Sequence, residues 1–288
     1  MTRQLELLRP GQIAAEMARC PRVWLPLGTI EYHSHHLPVG LDGLQAHGLC
    51  LDAAEIAGGL VYPPLWWGTG GGHGAYPWTV MVPDQTELVA LLRQTLTRLR
   101  AFGVRQAVLF TGHFADEQLE MIAGLASDWN AQNGPLKALA LGVNGNPDAP
   151  LPPDHAGRFE TTILAAYHPQ TVDMSLLPPS NPREANEDLF GPQRHDPNHS
   201  LHGIFGADPR GFVPEDAAVL RKSMAEWLEI HALRASGMRA SDILTRVGTA
   251  PRAVLVRRRA NPGRGTIHRA LLNRYWRLAV SGWEHTRD

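Results

Sequence analysis

Two six-residue stretches constrain this chain more than any other feature. Arg22-Val-Trp-Leu-Pro-Leu27 and Gln106-Ala-Val-Leu-Phe-Thr111 carry apolar residues at nearly every position. Side chains alternate across a strand, so a strand apolar throughout must be covered on both faces. Parallel sheets meet that demand, because the helices that connect their strands lie over the faces. The segments between supply such helices. Helical spacing of apolar residues runs over 10–18, over 42–56 with Leu44, Leu49, Ala53 and Ile56, over 84–102 with Leu88, Leu91, Leu92, Leu96 and Leu99, and over 116–130. Gly58-Gly59 and Gly103 stop two of them. Shorter apolar runs predict strands over 60–64, 79–82 and 136–143, and further helices are predicted over 215–236 and 266–279. This alternation predicts an α/β fold with a mainly parallel sheet and helices on both faces. Residues 66–77, 144–154 and 178–211, rich in Gly, Pro, Asn and Asp, read as loops. No repeat or composition break divides the 288 residues. One domain over 1–288 is expected, with a motif-bearing core over about 10–235 and a C-terminal extension over about 236–288.

Composition narrows the function. Lys plus Arg is 27 and Asp plus Glu is 28, so no net positive field draws the chain to nucleic acid or an anionic membrane. Neither partner is expected. No apolar run reaches the ~20 residues of a membrane helix, and the mixed charges of the first ten residues do not resemble a secretory signal. Cys20 and Cys50 are too few for a disulfide framework. A cytoplasmic location follows as the expectation. The 14 histidines point to metal or proton transfer if they cluster. An arginine group, Arg252, Arg257, Arg258, Arg259 and Arg264, reads as a solvated or subunit-contact surface.

They do cluster, and at strand ends, where open α/β sheets bind ligands. Glu31-Tyr-His33-Ser-His35-His36 and Asp42 follow the first apolar stretch within 12 residues. Glu31 and His33 share one face of an extended segment. Mixed carboxylate and imidazole donors suit Zn, Mn or Fe(II) better than Ca or Mg. The alternative is a polar loop with incidental histidines. Gly112-His113 follows the second apolar stretch, with Asp116 and Glu117 fitting the first turn of the next helix. Asp154-His155 and Glu160 form a third group, in which Asp154 could cap a helix. Trp66 to Thr79 interleaves aromatics with a glycine run that lacks the Gly-Lys-Ser/Thr ending of a phosphate loop. It suits a substrate-closing loop, with His73, Tyr76 and Trp78 facing substrate, whereas Trp66 and Trp67 are equally compatible with core packing. His195, His199 and His202 read as loop residues near the site, since Pro197 opposes a helix there.

Taken together these segments resemble the creatininase (creatinine amidohydrolase) family. The hallmark Leu-Pro-x-Gly-x-x-Glu-x-His-Gly-x-His-Leu-Pro-x-x-x-Asp stands here from Leu25 to Asp42. An Asn-Gly-His turn corresponds to Thr111-Gly112-His113, His-Ala-Gly-x-x-Glu-Thr to residues 155–161, and a late Gly-x-x-Gly-Asp-Pro to Gly203-Ile-Phe-Gly206-Ala-Asp208-Pro209. The resemblance spans about residues 10–235. It implies a dinuclear metal hydrolase on an α/β/α sandwich, a homo-oligomer and often a hexamer. Glu31, Asp42 and His113 would then hold one divalent ion (Zn, Mn or Fe) and His33 and Asp42 a second, Asp42 bridging. His155 matches a proton shuttle. Creatininase has a glutamate ligand where this chain has Ala115, and Glu160 is the candidate to replace it. Ser34 stands in place of the motif glycine, and Phe114 in place of a substrate-side tyrosine. The metal positions match and the pocket positions differ, which points away from creatinine.

The expected activity is attack of an activated water on the carbonyl of a small, polar substrate of the cyclic-amide type, with His155 and Glu160 catalytic and His73, Tyr76, Trp78 and Phe114 lining the pocket. Hydrolytic ring opening of a keto-cyclitol is the alternative reaction. A non-catalytic metal-binding protein is the alternative of another class.

Overall fold

The computed structural model describes residues 2–237. The predicted helix over 266–279, the arginine group from Arg252 to Arg264 and the extension from residue 238 onward lie outside the described residues.

Four parallel strands, β1 (Arg22–Leu27), β2 (Leu60–Val61), β3 (Gln106–Thr111) and β4 (Lys137–Gly142), form one sheet in the order β2-β1-β3-β4. The helices are α1 (Pro10–Arg19), α2 (Leu41–Ala57), α3 (Gln85–Ala101), α4 (Asp116–Ala131), α5 (Arg158–Ala165) and α6 (Pro214–Ala235). Strand alternation divides the core in two. Val23, Leu25, Leu27, Ala107, Leu109 and Ala138 pack with α3 and α4. Trp24, Val61, Val108 and Phe110 pack with α2, α5 and α6 on the other face. The fold is an α/β sandwich of three layers, and the two apolar strands are its fully buried centre.

Two predicted strands are shorter than expected. The 60–64 strand ends at Val61 because Pro63 and Pro64 offer no N–H to a ladder. The 79–82 stretch forms only isolated bridges, Val80 to Ile30 and Met81 to Gly68. Its partners are loop segments beyond the sheet, and Pro77 and Pro83 close it on both sides.

The strand register decides where the site forms. Leu27 lies opposite Thr111, and Thr111 opposite Gly142, so the carboxyl ends of β1, β3 and β4 reach one edge together. Two glycines there let α2 come down onto the sheet. A Cβ on Gly28 would lie 2.3 Å from the Gly43 nitrogen, and a Cβ on Gly112 would lie 2.1 Å from the Asp42 carbonyl oxygen. Asp42 is thereby wedged between the ends of β1 and β3. Gly48 allows Tyr167 to lie across α2, and the Tyr167 hydroxyl donates to Asp52 at 2.7 Å. Asp52 also accepts two hydrogen bonds from Arg221, at 2.7 Å each, which ties α2 to α6.

The close approach yields a paired expectation. Gly112→Ala must push the first turn of α2 away and should cost ~1–3 kcal/mol, the usual range for overpacking. Gly124→Ala sits on the exposed side of α4 with nothing within 4 Å of the added Cβ. That change should stabilise by ~0.5–1 kcal/mol, the glycine-to-alanine difference inside a helix. Urea denaturation of the two variants measures both, and equal midpoints would contradict the packing described.

Candidate metal centre

Seven buried or nearly buried titratable side chains converge at this edge. The segment after β1 supplies Glu31 and His33, the first turn of α2 supplies Asp42, and the turn after β3 supplies His113. The glycine-rich loop supplies His73, and the start of α5 supplies His155 and Glu160. Glu31 is 0% exposed, with Oε2 2.9 Å from His113 Nδ1 and Oε1 in close contact with His73 Nδ1. Asp42 faces His33 Nε2 at 3.3 Å and His113 Nδ1 at 3.4 Å. Glu160 Oε2 lies 3.5 Å from His33 Nε2 and 4.0 Å from His155 Nδ1.

Three of the imidazoles are oriented by backbone carbonyls. His33 Nδ1 is 2.9 Å from the Glu31 oxygen, His113 Nε2 3.2 Å from the Thr69 oxygen, and His155 Nε2 3.1 Å from the Tyr32 oxygen. Each of those nitrogens donates to its carbonyl, so the other nitrogen of each ring points at the carboxylates. This outer-shell pattern fixes the tautomer of metal-ligating histidines. Glu160 is held in turn: the Ala156 N–H donates to its Oε2 at 2.6 Å, from a residue in the left-handed region at φ 54°. Asp154 accepts from the N–H groups of Phe159 at 3.1 Å and Glu160 at 3.3 Å, so it closes the first turn of α5. Ser34, at the motif-glycine place, is likewise left-handed at φ 59°.

The electrostatics follow from burying three carboxylates together. Burial opposes the charge on Glu31, yet His113, His73 and His155 draw its pKa well below the usual carboxylate range. Burial also opposes charge on His33, but Asp42 and Glu160 outweigh it and raise that imidazole to about 10. His113 is raised in the same way, chiefly by Glu31 against its burial. Glu160 moves up, through burial and the Asp42 charge. His155 moves down, through burial and the neighbouring His73 and His33, and is therefore neutral at pH 7.

The donor set fits a divalent transition-metal ion. Glu31 Oε2, His33 Nε2 and Asp42 Oδ2 are buried and have no hydrogen-bond partner, although they face one another. Three overlapping trios could hold an ion, each with donor atoms within 4.8 Å of one another: Glu31, His33 and Asp42; His33, His155 and Glu160; and Glu31, His73 and His155. Imidazole and carboxylate together suit Zn, Mn or Fe.

A family model described as creatinine amidohydrolase matches residues 6–230. The chain belongs to the creatininase family. Creatinine amidohydrolase of Pseudomonas putida is 26% identical over 177 residues, covering 53% of this chain and 66% of that protein. The mycofactocin precursor peptide peptidase of Mycobacterium ulcerans is 27% identical over 172 residues, covering 56% of this chain and 64% of that protein. The chain thus aligns with just under two thirds of the length of these curated relatives. A crystal structure of creatininase superposes with a TM-score of 0.66 at 21% identity, over 81% of this chain and 98% of that one. At that identity the likeness speaks for the fold. Structures described as a Zn–Zn form and an Mn form of creatininase superpose similarly, with TM-scores of 0.66 and 0.65, 22% identity, 82% of this chain, and 98% and 99% of theirs.

Not every residue singled out in the sequence joins the cluster. Tyr76 stands beside it, stacked on Tyr32 at 5.1 Å, its hydroxyl 2.7 Å from His195 Nδ1. Trp78 is 82% exposed, and Phe114 packs against the core layer of α2 and α6. Trp66 lies on Gly40 and Gly43, while Trp67 is exposed. His35 is exposed and meets only the rim, through Tyr32. The rim also contains Phe205, which the sequence did not flag, and His202, which it placed in a loop near the site. Phe205 stacks on His73 at 5.3 Å and pairs its backbone with His155, and His202 lies against Tyr32 and Tyr76. Phe205 falls inside the late Gly203-to-Pro209 motif, the one signal that could have found it.

The raised His33 pKa has a signed consequence for chelator-treated protein. A histidine whose folded pKa exceeds its unfolded value of ~6.5 contributes stability that is complete below that pH. The contribution fades as pH rises toward about 10. The melting temperature of metal-stripped protein should therefore fall between pH 7 and 10, and His33→Gln should flatten the slope. A slope of opposite sign in stripped wild-type protein would contradict this electrostatic picture.

Proposed function

We propose that this chain is a metal-dependent hydrolase that cleaves an amide-type C–N bond in a small, polar, cyclic substrate, working as a cytoplasmic homo-oligomer. The single observation that carries the reading is the set of buried, unpartnered donors, Glu31 Oε2, His33 Nε2 and Asp42 Oδ2, facing one another at the sheet edge. One ion would be held by Glu31, Asp42 and His113, and a second by His33, Asp42 and Glu160, with Asp42 shared. When bound, divalent cations supply a more acidic water and a polarised carbonyl.

The protein's own groups do the rest. His155 is neutral at pH 7, and its Nε2 is committed to the Tyr32 carbonyl. Its Nδ1 is left to take a proton from the attacking water and deliver it to the leaving nitrogen. Oxygen adds to the carbonyl carbon, the C–N bond breaks, and the amine leaves with the proton. Burial of the carboxylates keeps bulk water from competing with these interactions. Tyr32, Tyr76 and Phe205 form an aromatic wall on the approach side, where His73 also lies. A peptide amide is the second substrate class, favoured by the peptidase relatives.

Metal analysis followed by a screen of the metal-loaded protein tests the reading. Cyclic amides, formamides, short peptides and inososes form the panel. Hydrolysis of any of the first three, read as the ring-opened product of a cyclic amide or the amine freed from a formamide or peptide, supports it; consumption of inososes alone supports ring opening instead, and a protein that takes up no divalent ion defeats both. Asp42→Ala should lose both ions and His33→Ala only one. His155→Gln should keep its ions and melting temperature while turnover drops ~100- to 10,000-fold, the usual weight of a general acid–base group. Full turnover in that variant would remove His155 from the mechanism.

A further inference from the structure

The sequence assigns His73 to the substrate pocket, and in the structure its ring also reaches into the carboxylate cluster. His73 is buried, and its Nδ1 is in close contact with Glu31 Oε1. The way it arrives there is specific. Gly70 and Gly71 are both left-handed, at φ 79° and 75°. A Cβ on Gly70 would lie 2.5 Å from the Glu117 Cβ, and one on Gly71 would lie 3.2 Å from the Ala115 Cβ and 3.3 Å from His113 Cε1. Small residues at 70, 71 and 115 are what allow the loop to come down over the start of α4. The same helix turn grips it: Gly71 N–H donates to Glu117 Oε2 at 3.3 Å, and Thr69 N–H donates to Gln118 Oε1 at 3.1 Å. The Thr69 carbonyl meanwhile takes the His113 Nε2 hydrogen bond. One loop therefore orients His113 through its backbone and reaches Glu31 through His73.

Glu31 has two oxygens with different surroundings. Oε1 meets His73, whereas Oε2 faces His113 and has no hydrogen bond. Phe205 stacked on His73 at 5.3 Å, with the His155 ring 4.1 Å away, leaves the imidazole little freedom to turn. We infer that His73 is a positioning residue for Glu31: its Nδ1–H holds Oε1, so that Oε2 alone is presented to an ion. The inference rests on the proposed reading of Glu31 as a metal ligand. It gives the glycine run a purpose distinct from closing over substrate, namely to seat one imidazole behind a carboxylate.

The test reads Zn²⁺ affinity by competition with a chromophoric chelator, together with the number of ions bound and the melting temperature. It uses the full chain and its variants Glu31→Gln, His73→Leu, His73→Gln and Gly71→Val. Loss of an outer-shell partner typically weakens metal binding ~10- to 100-fold, which is the expected result for His73→Leu. His73→Gln retains an N–H donor and should recover most of the affinity. Gly71→Val lifts the loop while leaving His73 in the chain, and should weaken binding as His73→Leu does. Unchanged affinity in folded His73→Leu, while Glu31→Gln loses zinc, would overturn the inference and leave the metal site standing. Equal loss in His73→Leu and His73→Gln with one ion fewer would make His73 a ligand, and would overturn it as well. Unchanged affinity in Glu31→Gln would instead defeat the underlying metal reading. Should His73→Leu fail to fold, the comparison of Gly71→Val with His73→Gln decides by the same readings.

Discussion

Three carboxylates sharing one dry pocket is the constraint around which this protein is organised. Glu31, Asp42 and Glu160 are all within a few ångströms of imidazole nitrogens and almost wholly removed from water. Buried charges of one sign cannot stand alone; they are neutralised by protons, paired, or coordinated to metal. In this chain the compensating groups are imidazoles, raised where the carboxylates outweigh burial (His33, His113) and lowered where burial and neighbouring imidazoles prevail (His155). The balance of burial against nearby charge thus separates these histidines into two kinds. Those among the carboxylates are drawn toward the charged form, and His155 toward the neutral one.

That arrangement depends on a mechanical one. Glu31 and His113 follow adjacent parallel strands, but Asp42 belongs to the helix that crosses above them. Only the absence of side chains at Gly28 and Gly112 lets the first turn of α2 reach the strand ends. The tie from α2 through Asp52 to Tyr167 and Arg221 fixes the far part of the same helix. Helix α5, which carries Glu160, meets the segment after β1 through the 3.0 Å contact of Thr161 Oγ1 with His36 Nε2. The carboxylates are consequently set by backbone packing, so their separations are those of the fold rather than of flexible side chains. The creatininase family match, over residues 6–230, takes in every segment that meets at the edge.

How much of this was legible beforehand varies element by element. Both apolar strands begin and end where the sequence places them, because a six-residue apolar run ending in a glycine has few other ways to be buried. The helices agree to within a residue or so, since Asp84 and the paired glycines at 58–59 are unambiguous punctuation. The stretch over 79–82 is different. Its composition is that of a strand, but its partners, Ile30 and Gly68, are loop residues whose proximity no local pattern encodes. Phe205 escapes for the same reason: the long loop over 178–211 has almost no periodicity, and it returns to the site through contacts such as the bridge to His155 and the Tyr76–His195 hydrogen bond, which no local pattern encodes.

The sequence by itself determined the chemistry available: which strand ends carry carboxylates and imidazoles, and that the donors are nitrogen and oxygen. Those are properties of residue type and spacing, and they survive without coordinates. Tertiary structure alone decided how the donors are divided. That His155 spends Nε2 on the Tyr32 carbonyl, that His73 Nδ1 meets Glu31, and that Trp78 is exposed while Phe114 packs on the core are matters of direction. Direction comes from where loops far apart in sequence are pinned against one another, and the linear order of residues does not specify it.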